Sequence, residues 1–271
     1  MKLSDGGREE LCLTTLIVPF VKSLVRAVFL DLGDTLVHLD RPWEEVYPFN
    51  LRALHQYLEP HGLRVALEEF SKTFKHVFDD ASYRSDLYKT EVPMEEIIAK
   101  VLRKSGLKGV GADLQSSAVI EFFKPEIDFW KVYPDTVQTL THLEREGYLM
   151  GVVSNTKSDW AVRAIVERRE LGRFFKAIVT SAALKIRKPR PEIFTQALNA
   201  LDVNPQDSVF VGDSMQADVA GAKHVGMRSI HVLRKPIDFI TLTSPDATVK
   251  NLAETVDIIN NWNNGSLGHD N

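Results

Sequence analysis

Short apolar segments rich in β-branched residues alternate with longer amphipathic segments along most of the chain. Each apolar segment is followed by turn residues or a polar stretch, as buried parallel strands are. These predicted strands span residues 28–31, 150–154, 177–180, 209–212 and 229–232. Helical periodicity fills most of the intervals, at residues 136–146, 160–170, 191–201 and 216–225. The alternation predicts an α/β fold with a Rossmann-like parallel sheet flanked by helices.

The alternation is interrupted between the first two predicted strands. Helical periodicity alone is found at residues 42–58, 67–83, 93–105 and 114–128. A crossover between parallel strands needs only about a dozen residues, so this stretch predicts an inserted all-helical cap domain with hinges at 37–41 and 131–134. The predicted parts are an N-terminal extension (1–24), an α/β core (25–40 and 132–260), the cap (41–131) and a C-terminal tail (261–271).

The charge and cysteine content narrow the classes of partner. The formal net charge is −4, so electrostatics give no support for binding nucleic acid or an anionic membrane. The apolar run at 11–21 is too short to span a bilayer, which needs about 20 residues. Cys12 is the single cysteine, and it cannot form an intramolecular disulfide. We therefore expect a soluble cytoplasmic protein, and the sequence predicts no oligomeric state.

Polar and charged side chains follow the predicted strands at the points where they end. Ligands of open α/β sheets bind at the carboxyl ends of the strands, so these side chains are candidates for one site. They comprise carboxylates, a hydroxyl, an amide and, just before a predicted helix, an amine: Asp31, Ser154, Asn155, Lys188, Asp213 and Asp218.

The order of these residues resembles the four motifs of the haloacid dehalogenase superfamily. The chain reads FLDLGDTLV, then GVVSNT, then RKPRPEIF, then FVGDSMQADVAGA. The resemblance covers about residues 26–250 and includes the place of a helical cap between the first two motifs. It implies a hydrolase that attacks its substrate with the first aspartate, Asp31.

For a phosphate ester, attack by Asp31 would give an aspartyl phosphate and divide one difficult displacement into two easier steps. Because Asp31 and Asp213 repel each other, a hard cation is expected to bridge them, and Mg²⁺ suits such an oxygen-only site. The resemblance adds the backbone carbonyl of Gly33 as a third ligand. Asp218 is expected to hold a metal-bound water or to orient Lys188.

The phosphate itself needs donors and positive charge. The hydroxyl of Ser154 is expected to donate to a phosphate oxygen, with the backbone N–H groups of Asn155 and Thr156 beside it. Lys188 is expected to neutralise charge on the nucleophile and on the phosphoryl group in the transition state.

The first motif departs from the usual phosphatase pattern D-x-D-G-T, in which the second aspartate is the general acid and base. Gly33 occupies that position, and Asp34 stands where glycine is usual. Loss of a general acid costs about 10²–10⁴ in rate. Asp34, from a reshaped loop, or His38, at the cap hinge and in reach of substrate, could supply the proton instead.

The departure leaves three functions open. The first is a magnesium-dependent hydrolase of small phosphate monoesters that acts through an aspartyl phosphate, with a small phosphorylated metabolite as substrate. The second is a metal-independent 2-haloacid dehalogenase, whose halide leaving group needs no proton. The third is a non-catalytic binding or regulatory protein. The intact Asp213 favours the first, because a dehalogenase has little use for a metal-binding carboxylate.

Overall fold

The computed structural model describes residues 24–234 and 242–267. The predicted N-terminal extension, with Cys12, lies outside the described residues except for Leu24. In chain order the strands are β1 (Ala27–Leu30), β2 (Val37–Leu39), β3 (Trp130–Val132), β4 (Leu149–Ser154), β5 (Ala177–Thr180), β6 (Ser208–Gly212), β7 (Arg228–Val232) and β8 (Ala247–Val249). The α-helices are α1 (Trp43–Leu58), α2 (Leu67–Tyr88), α3 (Met94–Lys104), α4 (Ala112–Phe123), α5 (Thr136–Arg145), α6 (Asp159–Arg168), α7 (Ser181–Leu184), α8 (Pro191–Leu201), α9 (Ala220–His224) and α10 (Glu254–Leu267).

Six parallel strands form the main sheet in the order β5-β4-β1-β6-β7-β8. Successive side chains of the central strand β1 point to opposite faces. Val28 and Leu30 pack into one hydrophobic cluster with α5, α6 and α10, whereas Ala27 and Phe29 pack into another with α8 and α9. Both faces are therefore covered by helices, which confirms the predicted α/β fold. No helix within the described ranges is long and apolar enough to cross a membrane.

The hinges of the cap are themselves paired. Strands β2 and β3 form a two-stranded antiparallel sheet in which Val37 pairs with Val132 and Leu39 pairs with Trp130. The sequence analysis predicts hinges at 37–41 and 131–134 but no strands there, and each strand is only three residues long. The pairing places the chain's exit to the cap beside its return.

The cap consists of α1 to α4 around another hydrophobic cluster, which Ala161 of the core helix α6 also joins. The predicted helix 114–128 ends earlier, because α4 stops at Phe123 and a 3₁₀ turn, Lys124–Phe129, follows. Pro125 accounts for this change, since it has no N–H for a helical hydrogen bond and is tolerated only in a first turn. The turn redirects the chain toward β3 and the sheet.

The predicted C-terminal tail does not begin at residue 261. Helix α10 continues to Leu267, and Asn263 ties it to the segment just before β1. Its Oδ1 accepts from the N–H of Val25 at 2.8 Å, and its Nδ2 donates to the carbonyl of Val25 at 3.2 Å. These bonds make the end of α10 part of the core domain.

Candidate active site

A pocket with a volume of about 240 Å³ lies at the carboxyl ends of β1, β4 and β6, between the core and the cap. Of the ten residues that the sequence analysis selects, His38 alone is not part of its lining. The others line it together: Asp31, Gly33, Asp34, Ser154, Asn155, Thr156, Lys188, Asp213 and Asp218. The sheet topology thus gathers residues that are far apart in the chain.

Lys188 is buried at the bottom of this pocket, with its ammonium group fully bonded. Its Nζ lies 2.7 Å from Asp31 Oδ1, 2.7 Å from Asp218 Oδ1 and 2.7 Å from the carbonyl oxygen of Val153. Burial acts against the charge of Lys188, but the attraction of Asp218 and Asp31 outweighs it and raises the pKa of the ammonium group. Lys188 is therefore a fixed cation beside Asp31.

Two cations near Lys188 in sequence have other partners. Lys185 pairs with Glu96 at 2.7 Å, and Arg187 pairs with Glu91 at 2.6 Å. Neither residue lines the pocket. The geometry leaves Lys188 as the lysine at Asp31.

Asn155 has a side-chain contact that the sequence analysis does not predict, and the backbone N–H of Thr156 has a partner within the protein. The side chain of Asn155 holds the backbone of Lys188, since its Oδ1 accepts from the Lys188 N–H at 2.8 Å and its Nδ2 donates to the Lys188 carbonyl at 3.1 Å. The N–H of Thr156 donates to Ser181 Oγ at 2.8 Å, so it is not available to a phosphate group. Ser154, at the end of β4, is buried and lines the pocket as predicted.

Asp218 lies in a π-helical turn after β6, and its side chain is almost fully buried. Its Oδ2 accepts from the N–H of Ser214 at 3.0 Å, while Oδ1 faces Lys188. The close approach depends on Gly212, because a Cβ there would overlap the Asp218 carboxyl group. Of the two roles predicted for Asp218, the contacts match the orientation of Lys188.

Carboxylate oxygens of Asp31, Asp213 and Asp218 all lie within 4.8 Å of one another. Burial raises the pKa of Asp213 to about 7, with repulsion from Asp31, Asp218 and Asp34 adding to the effect. Burial likewise raises the pKa of Asp31 to about 6, although Lys188 opposes the shift. Such an oxygen-only cluster with excess negative charge fits a hard divalent cation such as Mg²⁺.

The loop after β1 has the two unusual residues of the first motif side by side. Asp34 has a φ of 56°, in the left-handed region where glycine is common and Asp is tolerated. Its N–H donates to the carbonyl of Val37 at 2.7 Å. At Gly33, a Cβ would meet the indole ring of Trp130 at 3.6 Å. The ring of Trp130 therefore faces the position of the usual general acid.

His38 lies in the hinge strand β2, away from the pocket lining. Its Nδ1 is 3.0 Å from the carbonyl oxygen of Leu39, and its ring packs on Tyr133 with centroids 4.6 Å apart. The β2–β3 pairing holds His38 at the hinge. The structure therefore does not place this residue where the predicted contact with substrate would need it.

The segment that leads from the cap back to the core contributes two residues to the pocket that the sequence analysis does not name, Glu126 and Trp130. Glu126 is 4% exposed and accepts from Asn50 Nδ2 and Trp130 Nε1. A sequence signal does exist, since a carboxylate amid Phe122, Phe123 and Ile127 is unusual for a solvated face. Periodicity alone places it only within the predicted helix 114–128.

A second cluster joins the cap to the core beside the pocket. Glu91, whose side chain is fully buried, lies 3.2 Å from Lys157 Nζ and 2.6 Å from an Arg187 nitrogen. It also accepts from Ser181 Oγ at 2.7 Å, and its N–H donates to the carbonyl of Lys185. These contacts hold the cap segment between α2 and α3 against the loops that carry Thr156 and Lys188.

Comparison with known proteins places this site in a family. The family described as haloacid dehalogenase-like hydrolase matches residues 25–226. The chain is 27% identical over 208 residues to a glyceraldehyde 3-phosphate phosphatase of Pyrococcus furiosus, covering 76% of this chain and 80% of the relative.

Two solved structures show the same fold. A 2-haloacid dehalogenase from Pseudomonas syringae matches with a TM-score of 0.65 and 23% identity, covering 88% of this chain and 100% of that one. A HAD phosphatase from Thermococcus onnurineus matches with a TM-score of 0.59 and 22% identity, covering 87% and 98%. The fold alone does not separate the two activities. The match over most of the chain, together with the four motifs in one pocket, confirms the predicted resemblance: the chain belongs to the haloacid dehalogenase-like hydrolase family.

Proposed function

We propose that the protein is a magnesium-dependent phosphatase that hydrolyses small phosphate monoesters through an aspartyl phosphate on Asp31. The supporting observation is the cluster of Asp31, Asp213 and Asp218 around the cation Lys188. Three carboxylates near one ammonium group leave excess negative charge, which a divalent cation would neutralise so that an anionic phosphoryl group could bind. The names of relatives such as the Pyrococcus furiosus phosphatase support a phosphatase rather than a dehalogenase.

Each residue has a task that follows from its contacts. Lys188 holds Asp31 Oδ1 and orients the carboxylate toward the pocket. Asp218 holds Lys188 from the other side, and Asn155 fixes the lysine backbone. Ser154 offers its hydroxyl to a phosphate oxygen from the end of β4. A cation at Asp31 and Asp213 would neutralise phosphoryl oxygens and orient the ester for attack.

We expect Mg²⁺ to stabilise the protein, because it relieves the repulsion between Asp31 and Asp213. At a concentration of about 100 times its Kd, the gain would be about 2.7 kcal/mol in free energy of unfolding. The measurement is thermal unfolding with and without Mg²⁺, and the same titration of Asp213→Asn, which should lose most of the effect. A melting temperature that Mg²⁺ leaves unchanged would count against this site.

Activity assays separate the proposed function from its alternatives. Phosphate release from a panel of phosphorylated metabolites is measured with Mg²⁺ and again with excess chelator, and halide release is measured from 2-chloropropionate. We expect phosphate release that requires Mg²⁺ and no halide release. Full phosphate release in excess chelator would contradict the magnesium requirement. Halide release alone would support a dehalogenase, and neither activity would support a binding protein.

The substrate class follows from the covered pocket. A volume of about 240 Å³ beneath a helical cap fits a small ester better than a phosphorylated protein side chain in a folded domain. Triose phosphates head the panel because of the relative's name, with phosphoglycolate, sugar phosphates and nucleotides beside them.

A further inference from the structure

We propose that Glu126, a residue of the cap, is the general acid and base of the reaction at Asp31. It would replace the carboxylate that the first motif lacks at Gly33. The inference rests on the proposed phosphatase function, since an alkoxide leaving group needs a proton. Glu126 lies in the turn Lys124–Phe129 and lines the same pocket as Asp31.

Trp130 connects Glu126 to the position of the usual acid. The six-membered ring of its indole faces Gly33, where a Cβ would lie 3.6 Å from Cη2. The Nε1 of the same indole donates to Glu126 Oε1 at 3.3 Å. The indole ring of Trp130 therefore lies between the carboxyl group of Glu126 and the position of a side chain at residue 33, where the usual general acid stands.

The environment of Glu126 favours a carboxyl group that exchanges its proton near neutral pH. Its hydrogen-bond donors, Asn50 and Trp130, are both neutral. Burial raises the pKa of Glu126 to about 7, although these two hydrogen bonds oppose the shift. A pKa near the working pH is the value at which a group serves best as both acid and base.

Asn50 can hold both protonation states of Glu126. Its Nδ2 lies 2.5 Å from Glu126 Oε2, and its Oδ1 is a buried oxygen without a hydrogen-bond partner among the described residues. Nδ2 can donate to Oε2 both when Glu126 is ionised and when Oε1 carries the proton. Oε1, with only the long bond from Trp130, is the oxygen that can donate to a substrate.

The charged groups near Glu126 lie on two sides. Across the pocket these are Asp31, Asp34, Lys188, Asp213 and Asp218. On the outer side, Arg168 and Arg169, at the end of α6, donate to Asp128 and to the carbonyl of Ile127. Three further cations have partners of their own: Lys124 pairs with Glu121, Lys131 pairs with Asp40, and Arg41 stacks on Phe129. The outer cations are thus engaged elsewhere, and burial dominates the titration of Glu126.

The proposed steps balance. In the first, a carboxylate oxygen of Asp31 bonds to phosphorus, the ester P–O bond breaks, and the leaving oxygen takes the proton of Glu126. In the second, a water oxygen attacks the phosphorus, its proton goes to Glu126, and the bond between Asp31 and phosphorus breaks. Phosphate leaves, and both carboxyl groups return to their starting states.

Glu126→Gln tests the role, because it removes the proton and keeps the size of the side chain. We would measure kcat/KM with Mg²⁺ for 4-nitrophenyl phosphate, phenyl phosphate and a primary alkyl phosphate. For the alkyl ester we expect a loss of about 10²–10⁴-fold, and for 4-nitrophenyl phosphate less than about 10-fold, since nitrophenolate departs without a proton. Glu121→Gln removes a carboxylate on the cap surface and should change neither value.

Other outcomes overturn the proposal. Equal losses across the series would make Glu126 a structural residue, and an unchanged series would give it no role. The dependence of kcat/KM on the leaving group could instead become steeper in Asp34→Asn or in His38→Ala but not in Glu126→Gln. Asp34 or His38, whichever variant shows the change, would then be the general acid. If the wild-type protein hydrolyses no ester, the proposed function fails and this inference with it. Wild-type hydrolysis with an unaltered variant overturns the inference alone.

The pH profile of the wild-type protein is a second test that needs no variant. The acid form of Glu126 is required, so kcat/KM for the alkyl phosphate should fall about tenfold per pH unit above about 7. For 4-nitrophenyl phosphate this fall should be much weaker. The comparison removes the titration of enzyme groups that act on both substrates alike, such as Asp31 and Asp213. Parallel profiles for the two substrates would contradict the proposal.

Discussion

The variant Asp31→Asn is expected to lose more than about a thousandfold in kcat for any phosphate ester. The amide is a poor nucleophile, but its oxygen can still accept from Lys188, which lies 2.7 Å from Asp31 Oδ1. The fold should therefore persist. Initial rates with Mg²⁺, together with circular dichroism and thermal unfolding, measure both expectations.

Trapping experiments sharpen this test. Acid quench of the wild-type protein during turnover, followed by proteolysis, should yield a phosphorylated peptide that contains Asp31. Hydroxylamine should remove the phosphate from this peptide, because it attacks acyl phosphates. The Asp34→Asn variant is the matched control, since it changes the same loop and should still form the adduct. More than about a hundredth of the wild-type kcat in Asp31→Asn would exclude Asp31 as the nucleophile.

Replacement of Glu91 by alanine should cause a large loss of stability. Glu91 is fully buried, and its removal would leave Lys157 and Arg187, which are 12% and 18% exposed, without their shared partner. Breaking a buried pair costs about 3–5 kcal/mol, and the partial exposure of both cations favours the lower value. A loss of about 3 kcal/mol corresponds to a fall of roughly 6–12 °C in Tm.

Glu96→Ala provides the control on the same face of the cap. Glu96 pairs with Lys185 at 2.7 Å, but the two side chains are 52% and 62% exposed. Exposed pairs contribute about 0–1 kcal/mol, so Tm should change little. Similar shifts in the two variants would mean that Glu91 does not fasten the cap to the core.

The sequence predicts the parts of the site that depend on strand ends. Buried strands are short apolar runs, and parallel strands end at one edge, so Asp31, Ser154 and Asp213 could be placed together in advance. The contacts of Asn155 could not be predicted in this way. Its partner Lys188 is 33 residues away, and no periodicity encodes a side chain that holds a distant backbone.

The predicted donor role of the Thr156 N–H failed for a related reason. Ser181 accepts from it at the start of the four-residue helix α7, which is too short to leave a helical pattern in the sequence. Glu126 was missed because Pro125 converts the end of a predicted helix into a 3₁₀ turn. The turn places this side chain in the lining of the pocket.

The antiparallel pair β2–β3 bears on how such a protein can be re-engineered. Leu39 and Trp130 are register partners, so the chain leaves and re-enters the core at neighbouring positions. Partners in an antiparallel pair have Cα atoms about 4.5–5.5 Å apart, so a short hairpin turn could close the core, and a foreign cap could be grafted between the same two residues. Because the turn that bears Glu126 belongs to the exchanged segment, a graft would transfer the proton donor together with the surface that selects the substrate. Cap chimaeras are thus expected to change leaving-group preference and substrate preference as a unit.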